Sequence, residues 1–267
     1  MIDGVAWLFC PADRPDRIAK AAERADVVIL DLEDGVAPSD RGTARAALRR
    51  HPLDPQRTIV RINPVGTVDH ERDLTAMADT GYTTVMLAKA EAVEQAEALA
   101  PVRVVALCET PLGVINAPAI ATAGNVAALM WGAEDLIAAL GGTSSREPGG
   151  RYRDVARHAR NTVRLAAGAA GKPAVDAVYL DIADLDGLAA EAADAVASGF
   201  AAKACVHPGQ IPVVRSAYRP SPETVAWAKD VLAAAATAPG AFQHQGRMID
   251  EPLLRQARQT LARNGHD

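Results

Sequence analysis

The sequence is poor in aromatic side chains, carries no net positive charge and has no long apolar run. Its 267 residues include three Trp, four Tyr and three Phe, so small aliphatic side chains have to build the core, as they do in repeated β/α units. The net charge of −5 offers no basic surface to nucleic acid. No apolar run reaches the ~18 residues that a membrane span needs. We therefore expect neither nucleic acid nor a membrane as a partner.

Cysteine is also scarce, and its positions argue against a framework of disulfides. Cys10, Cys108 and Cys205 are odd in number and lie in apolar runs or at their ends. Thiols of this kind are typical of reduced cytoplasmic proteins. The first residues lack a basic stretch followed by an apolar segment, so we expect no secretory signal and a cytoplasmic location.

Short apolar runs alternate with helical patterns along the chain. Eight runs are strand-like, at 5–10, 27–32, 58–62, 84–87, 102–108, 127–131, 177–180 and 202–206. Segments with apolar residues at three-to-four spacing lie between them, at 16–25, 69–78, 152–170 and 188–197. This alternation predicts right-handed βαβ units and a parallel sheet.

Eight such units in about 250 residues predict an α/β fold of the closed (β/α)8 type, a TIM barrel. A doubly wound open sheet is the alternative, but no glycine-rich dinucleotide fingerprint follows the first strand. We assign 1–238 to the barrel and 239–267 to a C-terminal loop and helix that are free to cover this active site or a neighbour's. The polar, glycine-rich segment 141–150 is either a mobile lid or a connector.

Charged residues gather where the predicted strands end, which is where such barrels carry catalytic groups. The residues at these ends are Asp31, Glu33, Asp34, Arg61, Lys89, Glu109, Asp135, Asp181 and His207. We predict Glu109 and Asp135 as Mg²⁺ ligands, because Mg²⁺ takes one or two carboxylates and fills its octahedron with water and substrate. The alternative is that each carboxylate caps the helix that follows it.

The acidic turn that contains Asp31, Glu33 and Asp34 has a supporting part in this interpretation. Glu33 and Asp34 are placed to order metal-bound water. For Asp31, a structural role in the turn fits as well as a functional one. Arg61 ends an apolar strand and needs an anionic partner. A substrate carboxylate, bound through two hydrogen bonds, is one candidate, and an ion pair with the acidic turn is the other.

Lys89 and His207 end the fourth and eighth predicted strands. Lys89 would lie among carboxylates that favour its charged form, so we assign it an electrostatic role and keep a Schiff-base aldolase as the minority alternative. His207 fits a hydrogen-bonded structural position better than a ligand or a base. The sequence has no Ser-His-Asp arrangement, no zinc-type cysteine spacing and no P-loop.

Seven segments together resemble the citrate lyase beta-subunit-like family, within the larger hydroxyacid aldolase group. They run in the family's order as FCPADRPDRIAKA, VVILDLEDGV, VRIN, ALCETPLGVINA, WGAEDLIAALGG, ACVHPGQI and GRMIDEPLLRQA. The resemblance implies a (β/α)8 barrel with Mg²⁺ on Glu109 and Asp135, and Arg61 on the keto-acid carboxylate. It also implies a trimeric or hexameric assembly.

The resemblance further assigns roles to residues that the spacing alone leaves open. In the coenzyme A-dependent members, a C-terminal aspartate from a neighbouring subunit completes the site, and Asp250 in RMIDEP matches it. Arg14 and Lys20 match positions near the coenzyme phosphates.

These observations predict a Mg²⁺-dependent carbon–carbon lyase. The expected reaction is reversible cleavage of a 3-hydroxyacyl-coenzyme A thioester, such as the malyl, citramalyl, citryl or 3-hydroxy-3-methylglutaryl ester, into an acetyl-type thioester and a keto acid. Two alternatives remain besides the Schiff-base aldolase. They are the beta subunit of a multi-component citrate lyase that acts on an acyl-carrier-protein thioester, and a catalytically silent acyl-coenzyme A-binding barrel.

Overall fold

The fold is taken from a computed structural model, which describes residues 3–238 and 240–264. The chain divides into two compact units, Met1–Val214 and Arg215–Asp267. The first unit contains every predicted site residue except Asp250, which belongs to the second.

The first unit is a closed barrel of eight parallel strands in sequence order, with β1 paired to both β2 and β8. The TIM-barrel prediction is therefore confirmed. The strands are β1 Ala6–Pro11, β2 Val27–Asp31, β3 Thr58–Ile62, β4 Thr84–Leu87, β5 Arg103–Cys108, β6 Val126–Trp131, β7 Ala174–Asp176 and β8 Ala202–Cys205.

Helices follow the strands and surround the barrel. They are α1 Pro15–Arg24, α2 Arg41–Arg50, α3 Val68–Ala78, α4 Val93–Glu97, α5 Pro111–Ile120, α6 Ala133–Ala139, α7 Asp154–Ala169 and α8 Leu185–Ala197. Local chemistry sets several of their first residues. The Thr67 and Thr110 side chains accept hydrogen bonds from the backbone N–H groups of His70 and Gly113, and Asp184 accepts one from Gly187.

Alternate strand residues fill the barrel interior. Neighbouring strand positions point to opposite faces, so one set faces inward while the other meets the helices. The inward set includes Trp7, Ile29, Ile59, Met86, Val105, Leu107, Met130, Val175 and Ala204. These side chains are almost fully buried, and burial of each large aliphatic one contributes about 1.5–3 kcal/mol.

The seventh strand is the one element whose predicted position is wrong. We predicted it at 177–180, but β7 is Ala174–Asp176, and it pairs with β6 and β8. Asp176 looks in sequence like a break in an apolar run, yet its side chain is fully buried. An ion pair with Lys203 of β8, 3.1 Å away, makes a carboxylate tolerable inside this strand.

The second unit consists of helices and a short hairpin. Helix α9, Ile211–Tyr218, crosses the boundary between the units and is followed by α10 Pro222–Ala235, β9 Phe242–His244, β10 Arg247–Ile249 and α11 Glu251–Asn264. Gln245 and Gly246 join the antiparallel strands with φ values of 47° and 79°, as a tight two-residue hairpin turn requires. Val231, Ile249 and Leu254 form the unit's apolar core.

In residues 3–238 and 240–264, no helix has the length and apolar character to cross a bilayer. The proposed start of the extension at 239 stays a prediction, and Pro239 itself lies outside the described residues.

Candidate active site

A cavity of about 270 Å³ opens at the carboxyl ends of the barrel strands. One part of its wall is charged and is formed by Asp31, Arg61, Glu109, Glu134 and Asp135. Another part is apolar and is formed by Phe9, Leu107, Met130, Ala177, Val178 and Val206. The second unit has a larger cavity, of about 420 Å³, but the residues that line it include no carboxylate. The charged cavity of the barrel is therefore the candidate active site.

Arg61 lies on the cavity wall, held by the acidic turn. Its Nε and Nη2 donate to the two carboxylate oxygens of Asp31 at 2.7 and 2.6 Å, and its Nη1 is 3.0 Å from Glu33 Oε2. The guanidinium also stacks 4.9 Å above the Phe9 ring. The structure thus contains the ion pair that we weighed as the alternative for Arg61. Asp31 accepts two of the five guanidinium N–H donors and Glu33 faces a third, which leaves two for a substrate carboxylate.

Asp31 has a structural role in this arrangement. Besides Arg61, its carboxylate accepts the backbone N–H groups of Glu33 and Gly35, both at 2.9 Å. These bonds fold the chain after β2 into a tight turn. The turn buries Glu33 and leaves the Asp34 side chain 56% exposed.

Lys89 joins the acidic turn to the other side of the mouth. Its ammonium forms ion pairs with Glu33, with Asp34 at 3.1 Å and with Asp135 at 3.3 Å. Burial alone would lower the pKa of Lys89, but the hydrogen bond from its ammonium to Glu33 and the surrounding carboxylates raise it well above the ordinary value. A Schiff-base lysine needs the opposite shift, so the electrostatic role is favoured.

Glu109 is buried, at 3% exposure, like Asp31 and Glu33. It follows β5, and its Oε1 accepts a hydrogen bond from the backbone N of Lys89 at 3.2 Å. Burial, reinforced by the negative charge of Asp135, raises the pKa of Glu109 to about 8. Asp135 lies in the first turn of α6 and is partly exposed to the cavity.

The donor set at Glu109 and Asp135 fits Mg²⁺. Two carboxylates on a cavity that water and substrate can enter meet the needs of an ion that keeps much of its own hydration. A buried carboxylate whose charge is disfavoured is also a good partner for a cation. Among the described residues, no group of three or more His, Cys, Asp or Glu is arranged so that it could hold a metal ion.

Gly132, between β6 and α6, is required for the position of Glu109. A Cβ at this residue would lie 2.7 Å from Glu109 Oε2 and 2.8 Å from its Cβ. We expect Gly132→Ala to move the carboxylate and to weaken Mg²⁺ binding by about tenfold or more, measured by calorimetry, because a ligand out of place loses much of its affinity. Gly124→Ala is the matched control, since no atom lies within 4 Å of its new Cβ. Equal Mg²⁺ affinities in the two variants would contradict the prediction.

The remaining sequence-predicted residues lie apart from the cavity lining. Asp181 is exposed and accepts the backbone N–H groups of Ala183 and Asp184. His207 Nδ1 accepts from the backbone N of Gly209, which is the structural position expected for it. Arg14 pairs with Asp13 at 3.3 Å and is 57% exposed, and Lys20 is exposed on α1.

Asp250 lies in the second unit, at the start of α11. Its backbone O accepts from Leu254 N at 3.0 Å, and its side chain is 3.5 Å from Leu253 N. It is half-buried.

The segment 141–150, left open as lid or connector, is anchored at two residues. Ser145 is buried and its hydroxyl donates to Glu134 at 2.6 Å. Arg146 pairs with Glu191 of α8 at 2.8 Å and stacks on the Tyr152 ring at 3.8 Å. These contacts favour a connector over a mobile lid at Ser145 and Arg146.

Sequence reasoning missed a buried polar network beside the barrel wall. Lys203 is fully buried and donates to Asp176, to Ala177 O and to Glu191. Asp176 also accepts from Trp131 Nε1 at 2.8 Å and from Arg160 Nε at 2.9 Å. The only sequence signal of this network was Lys203, which lies in the middle of an apolar run. A lysine buried there needs a buried carboxylate as its partner.

Comparison with known proteins points in one direction. The family model for HpcH/HpaI aldolase/citrate lyase matches residues 6–208, and a model for a C–C bond lyase of the TIM-barrel fold matches 152–265. The citrate lyase subunit beta-like protein of Mycobacterium tuberculosis is 60% identical over 98% of this chain and 96% of its own. Human mitochondrial citramalyl-CoA lyase is 32% identical over 96% of this chain and 84% of its own.

A solved structure is similar over nearly the whole chain. The protein CitE from Mycobacterium tuberculosis, in complex with magnesium, acetoacetate and coenzyme A, has a TM-score of 0.96 and 59% identity. The match covers 98% of both chains.

Proposed function

The chain belongs to the HpcH/HpaI aldolase/citrate lyase family and is a carbon–carbon lyase, and from this premise we propose that it cleaves or forms 3-hydroxyacyl-coenzyme A thioesters with Mg²⁺. The malyl, citramalyl, citryl and 3-hydroxy-3-methylglutaryl esters are the candidate substrates. The observation that carries the proposal is the buried Glu109 carboxylate beside Asp135 in a cavity that Arg61 also lines.

Glu109 and Asp135 would hold the ion, and Glu33 and Asp34 would order water beside it. When bound, Mg²⁺ supplies Lewis acidity at the hydroxyl oxygen that becomes the keto group, and orients the substrate. Arg61 binds the keto-acid carboxylate with the donors that Asp31 and Glu33 leave free, and offsets its charge. The apolar wall at Leu107 and Met130 excludes water around the reacting carbons.

Cleavage breaks the bond between the hydroxyl-bearing carbon and the thioester's α-carbon. The hydroxyl gives its proton to the water that Glu33 and Asp34 order and becomes a ketone, while the electron pair of the broken bond passes to the thioester as an enolate. Asp250, contributed by a neighbouring subunit, gives the α-carbon its proton, and takes that proton in the reverse reaction. The coenzyme phosphates are bound by Arg14, which is exposed in the loop after β1, and by Lys20, which is exposed on α1. We place the protein in the cytoplasm as a homotrimer or hexamer.

The proposed function is tested with a panel of the four thioesters, each assayed with Mg²⁺ and after complete removal of metal with EDTA. We expect turnover of at least one ester, lost with EDTA and restored by Mg²⁺. Undiminished turnover without metal would overturn the metal site. Tight thioester binding without any turnover would favour a silent binding barrel, and turnover confined to an acyl-carrier-protein thioester would favour the beta subunit of a citrate lyase complex.

The contribution of Asp250 from another chain makes a separate prediction. We expect Asp250→Asn to lower turnover by about a hundredfold and to leave Mg²⁺ affinity unchanged, because Asp250 is not a proposed ligand. Mixing it with inactive Glu109→Gln subunits, under conditions that exchange chains, then restores activity at about a quarter of the sites. Without restoration in verified mixed oligomers, Asp250 does not act between chains.

A further inference from the structure

Lys89 adopts a backbone conformation that lysine seldom takes. Its φ of +51° lies in the left-handed region, which is costly for a residue with a Cβ. The chain on both sides is fixed by its neighbours, since Ala88 N donates to Ile62 O of β3 and Ala90 N donates to Leu107 O of β5. Both flanking alanines are fully buried. The barrel therefore holds Lys89 in a strained backbone conformation.

In this conformation Lys89 contacts both proposed metal ligands, one with its backbone N and the other with its ammonium. Its backbone N donates to Glu109 Oε1 at 3.2 Å, while its ammonium lies 3.3 Å from Asp135 Oδ1. Glu33 and Asp34 hold the same ammonium from the opposite side. The left-handed backbone directs the N–H toward Glu109 while the side chain crosses the mouth to the carboxylates.

We propose that Lys89 is a positioning residue that holds Glu109 through its backbone N–H and Asp135 through its ammonium, and that the ammonium releases Asp135 when Mg²⁺ binds. The inference rests on the metal site of the proposed function. Mg²⁺ and an ammonium on one carboxylate repel each other, and Coulomb repulsion is substantial at such distances beside a protein surface. Glu33 and Asp34 keep the ammonium in the mouth after it leaves Asp135.

Two opposite effects follow from removal of the ammonium. Mg²⁺ affinity rises, because a competing positive charge has gone. Turnover at saturating Mg²⁺ falls, because Glu33, Asp34 and Asp135 lose the group that aligns them. A residue with a purely structural role would not raise metal affinity while lowering turnover.

The test compares Mg²⁺ affinity by calorimetry and kcat for the wild type, Lys89→Gln and Lys89→Arg. For Lys89→Gln we expect about tenfold tighter Mg²⁺ binding and about tenfold lower kcat. Lys89→Arg keeps the charge and should hold the Mg²⁺ affinity near the wild-type value. Lys172→Met is the charge-matched control, since Lys172 donates to Ala123 O at the opposite end of the barrel.

The backbone part of the proposal has its own matched pair. Lys89→Gly and Lys89→Ala both remove the ammonium, but only glycine adopts φ +51° without strain. We expect Lys89→Gly to melt about 2–4 °C above Lys89→Ala. Equal melting temperatures would overturn the assignment of strain at Lys89, and a folded Lys89→Gly keeps the Mg²⁺ measurement possible if Lys89→Gln does not fold.

The outcomes separate this inference from the proposed function. If the wild type shows no Mg²⁺ binding, the proposed function fails and the inference fails with it. If the wild type binds Mg²⁺ but Lys89→Gln binds it equally or more weakly, only the role of Lys89 is overturned. Tighter binding with reduced kcat in Lys89→Gln, reversed in Lys89→Arg, supports the proposal.

Discussion

Glu109→Gln is expected to lower turnover by about a thousandfold while the barrel stays folded, because loss of one charged group that acts on the reacting oxygen has effects of this size. The amide has nearly the same shape as the carboxylate, and its oxygen can still accept the hydrogen bond from Lys89 N. It lacks the negative charge that a Mg²⁺ ligand supplies. Calorimetry should show Mg²⁺ binding weakened to near the detection limit.

Metal-free stability separates this effect from misfolding. Burial disfavours the charged form of Glu109 and raises its pKa to about 8, so a neutral side chain costs the metal-free fold nothing at this position. The Tm of Glu109→Gln in EDTA should equal or exceed that of the wild type. Glu97→Gln, on the exposed side of α4, is the matched control and should keep full activity. An active Glu109→Gln would remove Glu109 from the metal site.

Lys203→Met is expected to have the largest effect on stability. The ammonium is fully buried and donates to Asp176 Oδ2 at 3.1 Å, to Glu191 Oε1 at 2.8 Å and to Ala177 O at 2.7 Å. Removal of one partner from a buried ion pair leaves charge without compensation and costs about 3–5 kcal/mol. For a chain of this size the Tm should fall by roughly 10 °C, as measured by calorimetric or circular-dichroism melting.

Lys172→Met again serves as the control, since Lys172 is only partly buried and makes one hydrogen bond to a backbone carbonyl. The free energy of unfolding of Lys172→Met should fall by about 1 kcal/mol. If both variants melt alike, the network around Lys203 contributes little net stability.

The network also has a predictable pH dependence. Burial opposes the charged form of Asp176, but the positive charges of Lys203 and Arg160 outweigh it and lower its pKa below the ordinary 3.8. A carboxylate whose pKa is lower in the folded state than in the unfolded state stabilises the fold at a pH above its unfolded-state pKa. This stabilisation is lost as the pH falls through the folded-state pKa. The contribution of this carboxylate is therefore complete at neutral pH and disappears only in strong acid.

Seven of the eight strands and the barrel class could be predicted from the sequence, because apolar runs and their spacing follow directly from which residues the barrel buries. The exception shows the limit of that reasoning. A run with an acid in its middle resembles a strand end, and β7 contains Asp176 because Lys203, 27 residues further on, neutralises it. Pairing over such a distance leaves no local pattern.

The sequence by itself determined the βα alternation, the acids at strand ends and the mouth at which they meet, since parallel strands of one barrel carry all their carboxyl ends to one rim. The tertiary structure decided what those residues do to one another. Arg61 is already paired with Asp31, and Lys89 reaches both Glu109 and Asp135 from a left-handed backbone. Such contacts depend on backbone direction and distances across several strands, which the order of residues along the chain does not encode locally.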